Sequence, residues 1–167
     1  DDAGKLVYHQ LFLDTDNVGK ALGASTTIAQ TEANIRSLFA AMDAGQVEKF
    51  QDFWAADFMM THPFFPVPQP IAVFQGVIQG QKAGFPDMQH EITEIFSAGN
   101  KAAVRGIFKG TNTGSMQNNP PTNNKVTLPF TVTYDFDAQG KIKHQYVSFD
   151  SASYNSQLAV GITESKK

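Results

Sequence analysis

The chain has no cysteine. Disulfides, thiolate metal sites and cysteine nucleophiles are therefore excluded, and the redox compartment stays open. Charge is sparse: charged residues are 17% of the 167, the net charge is −3, and the longest basic run is the terminal Lys166-Lys167. A protein that grips nucleic acid needs a clustered Lys/Arg face to neutralise phosphates, so no nucleic-acid partner is expected. No apolar run approaches the length of a membrane-spanning helix, and no membrane partner is expected. His9, His62, His90 and His144 show neither H-x-H nor H-E-x-x-H spacing, so no metal site is expected. G-x-S-x-G and G-x-G-x-x-G are both missing, which leaves serine-hydrolase and dinucleotide readings without a basis. Tryptophan occurs once and tyrosine four times, against 14 phenylalanines. So many rings without a polar handle suit a wide core or a pocket for an apolar ligand, and the core is the default.

What is present reads as one globular domain. A length of 167 residues with 41% hydrophobic content can bury a substantial core. Residues 1–25 have weak periodicity and are expected to form an extension, residues 26–160 the domain, and residues 161–167 a tail. The sequence begins at Asp1 rather than Met, which fits either a removed leader or a trimmed start. The expected location is cytoplasmic, or periplasmic or secreted if a leader preceded Asp1.

A first helix is expected from Thr27, where Thr27 and Gln30 have capping-box spacing and Ile28, Ile35, Leu38, Phe39 and Met42 make an apolar stripe. Gly45 ends it in the left-handed position. A second helix is predicted over residues 47–55, burying Val47, Phe50, Phe53 and Trp54. "DFMMTH" predicts a short strand with Phe58, Met60 and His62 on one face. "PFFPVPQP" has four prolines in eight residues and can be only a stiff loop. A third helix is predicted over residues 71–82. Strands follow over 88–98, 102–109, 126–137 and 141–150, joined by "GNK", by "GTNTGSMQNNPPTNN", read as a mobile hairpin loop, and by "DAQGK". A short helix over 153–160 closes the domain. Helices segregated ahead of an antiparallel meander give the α+β class: a cone-shaped, curved antiparallel sheet wrapped over three N-terminal helices.

One strand changes character along its length. "KIKHQYVSFD" starts with Lys141, Lys143 and Gln145 alternating against Ile142, His144 and Tyr146. Val147 and Phe149 then make the formerly polar phase apolar, while the other phase ends in Ser148 and Asp150. Asp150 is therefore either the N-cap of the following helix or a base held in dry surroundings.

The segments "FPDMQHEITEIFSAGNKAAVRGIFKGTNTG" and "PPTNNKVTLPFTVTYDFDAQGKIKHQYVSFD" resemble the SnoaL-like polyketide cyclase family, part of the nuclear transport factor 2-like (cystatin-like) superfold. The resemblance extends from roughly Thr27 to Leu158, and "DFMMTHP" matches the family's early strand ending in a polar residue. It implies cofactor-independent closure of a polyketide-like ring, with an Asp at the end of the last strand as general base. Asp150 occupies that place. The implied partner is a small apolar or carbonyl-containing molecule, and a homodimer through the outer face of the sheet is implied as well. The alternative is a non-catalytic binder of a small apolar ligand on the same fold.

Other side chains are weighed against plainer roles. His62 could donate to an enolate oxygen, or could be a hydrogen-bonded histidine at the core's rim. Arg105 could hold Asp150 or a substrate carboxylate, or could make a cross-strand ion pair on the outer face. Tyr134 and Tyr146 could offer hydroxyls to the pocket. Trp54, Phe39, Met60 and Phe74 are expected as pocket wall. His144 and His90 are weighed towards non-functional positions.

Overall fold

A computed structural model describes residues 28–116 and 120–158. The expected Thr27 capping box, the extension at residues 1–25 and the tail at 161–167 lie outside the described residues. In chain order the elements are α1 (Ile28–Ala44), a 3₁₀ turn (Val47–Asp52), β1 (Trp54–Thr61), β2 (Gln69–Pro70), α2 (Ile71–Gly84), β3 (Gln89–Ala98), β4 (Lys101–Thr111), β5 (Lys125–Phe136), β6 (Ile142–Phe149) and α3 (Ser151–Leu158). The class is α+β: a curved, unclosed sheet of six strands in the order β2-β1-β6-β5-β4-β3, with the helices against it.

Strands β3 to β6 form the expected antiparallel meander. Strand β1 then joins it in parallel, Met60 pairing with Gln145 and Thr61 with Tyr146. The first long strand is thereby laid against the last. The segment predicted as a second helix is shorter and tighter: it is 3₁₀ over Val47–Asp52, and Trp54 and Ala55 already belong to β1. Trp54 is drawn into extended backbone because its ring stacks on Phe58 at 4.4 Å and packs against Phe50 and Phe74. Gly45 does end α1 with φ +70°, as its lack of a side chain allows. The proline-rich segment is loop, except that Gln69–Pro70 makes a two-residue edge strand on β1, a place where a missing N–H does no harm.

The phase change in β6 is a bulge. Asp135 pairs with His144 but Phe136 pairs with Ile142, so one residue is skipped. An extra residue moves every later side chain to the opposite face. Gln145, Val147 and Phe149 therefore point inward with Ile142, while Tyr146, Ser148 and Asp150 follow the outward phase. Outside, Arg105–Glu94 (2.9 Å), Lys109–Glu91 (2.5 Å) and Lys101–Asp135 (2.5 Å) form exposed cross-strand ion pairs. The long β4–β5 connection is pinned at its foot. Buried Asn112 donates to the carbonyls of Gly84 and Gly114, both at 3.0 Å, and accepts from the backbone N–H of Thr122 at 2.9 Å.

Candidate active site

The inner face of the sheet and the two long helices enclose an apolar cavity with about 610 Å³ of empty space, its solvent-open mouth included. Phe39 and Met42 come from α1, Phe74 and Ile78 from α2, and Phe108 and Phe130 from the sheet. Phe64, from the proline-rich loop, is 48% exposed and packs on Phe149 and Tyr154 at the rim. No Asp, Glu, Lys or Arg lines the cavity among the described residues. Its polar groups are His62, His90, Gln145, Tyr154 and Gln81.

His90 is held by a carboxylate. Asp43, in the last turn of α1, accepts from the His90 backbone N–H at 3.0 Å through one oxygen and meets His90 Nδ1 at 2.5 Å through the other. Both oxygens are thus committed to one residue, which fixes the ring. Phe39, Phe108 and Phe130 surround that ring with centroids 5.3, 5.3 and 5.5 Å away. The tautomer with its proton on Nδ1 donates to Asp43 and leaves the Nε2 lone pair unprotonated.

His62 is the opposite case. It is 6% exposed, boxed by Phe64, Phe65 and Phe149, and has no carboxylate partner among the described residues. Burial lowers its pKa to about 4, so it stays neutral around pH 7. The Phe64 backbone N–H donates to Nδ1 at 3.3 Å, which puts the remaining ring proton on Nε2. A neutral imidazole with a free Nε2–H is a donor for a carbonyl or enolate oxygen. His62 and His90 belong to opposite sides of the sheet, four strand steps apart. That is about 19 Å along the sheet at ~4.8 Å per step, so they form no dyad and meet only across the cavity. Tyr154 completes the polar set. Its hydroxyl rests 3.8 Å from Met116 Sδ, and burial pushes its pKa up to about 12.

Of the residues expected from the sequence, His62, Phe39 and Phe74 come together at the cavity. Trp54, Met60 and Tyr134 are buried but belong to the core beside it, and burial alone holds the Tyr134 hydroxyl protonated. Arg105 is on the outer face with Glu94, and Tyr146 is 42% exposed on the same side. Asp150 is exposed and outside the cavity lining. Its Oδ1 accepts from the N–H groups of Ala152 (2.9 Å) and Ser153 (3.0 Å), which makes it the N-cap of α3. The bulge in β6 is the physical reason that Asp150 and Tyr146 face away.

Sequence reasoning passed over Asp43 and Gln145 and weighed His90 against function. Asp43 lies four residues beyond Phe39, on the stripe that α1 buries, which was the available signal. Its partner is 47 residues away, so no local spacing joins them.

A family model for SnoaL-like polyketide cyclases matches residues 33–158. The chain belongs to the SnoaL-like polyketide cyclase family. Among solved structures it is similar to IdmH, a candidate polyketide cyclase from Streptomyces antibioticus, at 24% identity and TM-score 0.66 over 78% of this chain and 99% of that one. It is also similar to AclR, a candidate hydroxylase from Streptomyces galilaeus, at 19% identity and TM-score 0.71 over 80% and 83%. A candidate SnoaL-like cyclase from Jannaschia sp. CCS1 aligns at 16% identity and TM-score 0.69 over 79% and 93%. At these identities the likeness is one of fold. A search of curated proteins gives no match. Membership of the family points to a cyclase or isomerase type of enzyme.

Proposed function

We propose that this SnoaL-like protein removes a proton from carbon next to a carbonyl in a small, largely apolar substrate, using its own side chains. His90, oriented by Asp43, is the base. His62, across the cavity, donates from Nε2 to a second, more distant carbonyl oxygen of the substrate and so orients it against the base. Ring closure or isomerisation then follows from the enolate, with the apolar walls keeping water from reprotonating it early. The observation that carries this reading is the Asp43–His90 pair beside a cavity lined mostly by apolar side chains and by no charged one among the described residues. An Asp150 base, which the resemblance implies, would need that side chain to leave its helix cap and cross to the inner face.

The test is solvent deuterium incorporation at the α-carbon of a panel of aryl ketones and 1,3-dicarbonyl compounds, followed by NMR. Exchange above the buffer rate, lost in His90→Gln and kept in Asp150→Asn, is expected. Exchange that survives His90→Gln would sink the assignment.

A second reading, a binder without turnover, is favoured by the lack of any carboxylate among the lining side chains. It expects ligand binding with no exchange from any member of the panel. The family reading also carries a homodimer through the outer sheet face, where Thr127, Thr131 and Thr133 are exposed. Sedimentation equilibrium decides it: a monomer at micromolar concentration removes the dimer.

A further inference from the structure

The cavity has a polar group that the proposed chemistry does not use. Gln145 is 2% exposed, lines the cavity, and has an Oε1 with no hydrogen-bond partner among the described residues. Its cross-strand neighbours leave it unmet in this arrangement: the Met60 side chain on β1 has no donor, and the buried Tyr134 hydroxyl on β5, although a donor, makes no hydrogen bond to it. A buried amide carbonyl left unmet is costly, and proteins retain such groups where something else completes them. The sequence makes the position conspicuous. After the bulge, the inward phase of β6 is Gln145, Val147, Phe149, so the amide is the one polar side chain in an apolar row. His62 stands two residues beyond Met60, the partner of Gln145 on the adjacent strand. An acceptor, Gln145 Oε1, and a donor, His62 Nε2–H, therefore lie on neighbouring strands of the same wall.

We infer that Gln145 is a specificity residue that accepts a hydrogen bond from a hydroxyl on the buried end of the ligand, so the site selects hydroxylated carbonyl compounds over their deoxy analogues. The carbonyl half of this statement rests on the function proposed above; the hydroxyl half does not. A site whose buried polar group waits for a ligand hydroxyl penalises the analogue lacking it, because binding then seals the amide in unpaired. It also predicts an effect in the free protein. Replacing Gln145 by an apolar side chain of similar size removes an unmet polar group, and so does not destabilise the fold.

The test uses two matched pairs of probes, 3-hydroxyacetophenone with acetophenone and p-cresol with toluene. Binding to wild type, Gln145→Leu and Gln145→Met is followed by ligand-observed NMR titration, with thermal unfolding of all three proteins. The expected result is about a tenfold preference for the hydroxylated member in wild type. That preference shrinks to within about twofold in both variants, whose Tm is equal to or above that of wild type. No hydroxyl preference in wild type, a preference kept in both variants, or a Tm several degrees lower in both overturns the inference. A preference seen in both pairs and lost on substitution, with no deuterium exchange from any ketone, upholds Gln145 while rejecting the proposed reaction.

Discussion

Asp43 and Asp150 sit at the ends of helices and beside apolar sequence, yet the fold gives them different work. Asp43 directs both carboxylate oxygens at His90, whose ring faces the cavity. Asp150 directs one oxygen at two backbone N–H groups of its own helix, in solvent. Apolar neighbours in the chain do not make a carboxylate a base. The strand phase decides which face it joins, and the partner brought to it decides what its charge does. Asp150 lost the inner face to a single inserted residue in β6, whereas Asp43 gained an imidazole partner across 47 residues.

The most severe way to break the comparison is to disable each side in turn. His90→Gln is expected to cut α-proton exchange about 10²–10⁴-fold, the range a positioned base contributes. Asp43→Asn is expected to cost at least about 10²-fold, since it removes the charge that stabilises the imidazolium. Asp150→Asn should stay within about twofold, because Asn caps a helix as well as Asp does. Equal losses in Asp43→Asn and Asp150→Asn would erase the distinction.

The histidine without a carboxylate gives the next effect. An unfolded imidazole has the ordinary pKa of 6.5, while folded His62 has one of about 4. Above pH 6.5 both states are neutral and the site adds no pH dependence. Between 6.5 and 4 the unfolded chain takes a proton that the folded one refuses, so stability falls as the pH drops. The full loss is on the order of 3 kcal/mol, reached near pH 4. Chemical denaturation at pH 7 and pH 4.5 measures it, and His62→Gln should flatten that slope.

The wall beside His90 is tested at Gly106. A Cβ there would lie 2.5 Å from Phe130 Cζ and 2.7 Å from the Glu91 carbonyl oxygen. Gly106→Ala is therefore expected to cost about 1–3 kcal/mol in denaturant unfolding, with Phe130 displaced from its place against the His90 ring. The smallest effect belongs to Asp150→Ala, about 1 kcal/mol for a lost cap, with exchange activity intact.

Much of the fold was legible from the chain. Helical stripes, glycine and proline punctuation, and the clean alternation of Val126 through Phe136 each report a local rule, and α1, α2 and β3 to β6 follow those rules closely. The 3₁₀ turn was misread because Phe50, Phe53 and Trp54 have apolar spacing that suits a helix, while aromatic packing pulls Trp54 into β1. Site residues were harder. His62 and the walls from Phe39 and Phe74 could be read from periodicity, because each lies on the buried face of its own element. Asp43–His90 and the Gln145 amide depend on register between distant strands and on a bulge, which no local pattern encodes. "KIKHQYVSFD" did contain the bulge as a change of phase, but a phase change alone does not say which half faces in.

The parallel pairing of β1 with β6 sets the order in which this protein can become functional as it is made. A nascent chain that has emerged only as far as Phe136 carries the sequence of α1, α2 and β3–β5, but it lacks Gln145, Val147 and the Phe149 ring that completes the box around His62. The chamber exists only once the last strand docks beside the first, a closure across more than eighty residues and so among the slower kinds of contact to form. Any small molecule that fits the chamber then acts as a latch on the completed chain alone. Added during refolding, it should leave the early meander untouched and slow the departure of β1 and β6 from each other.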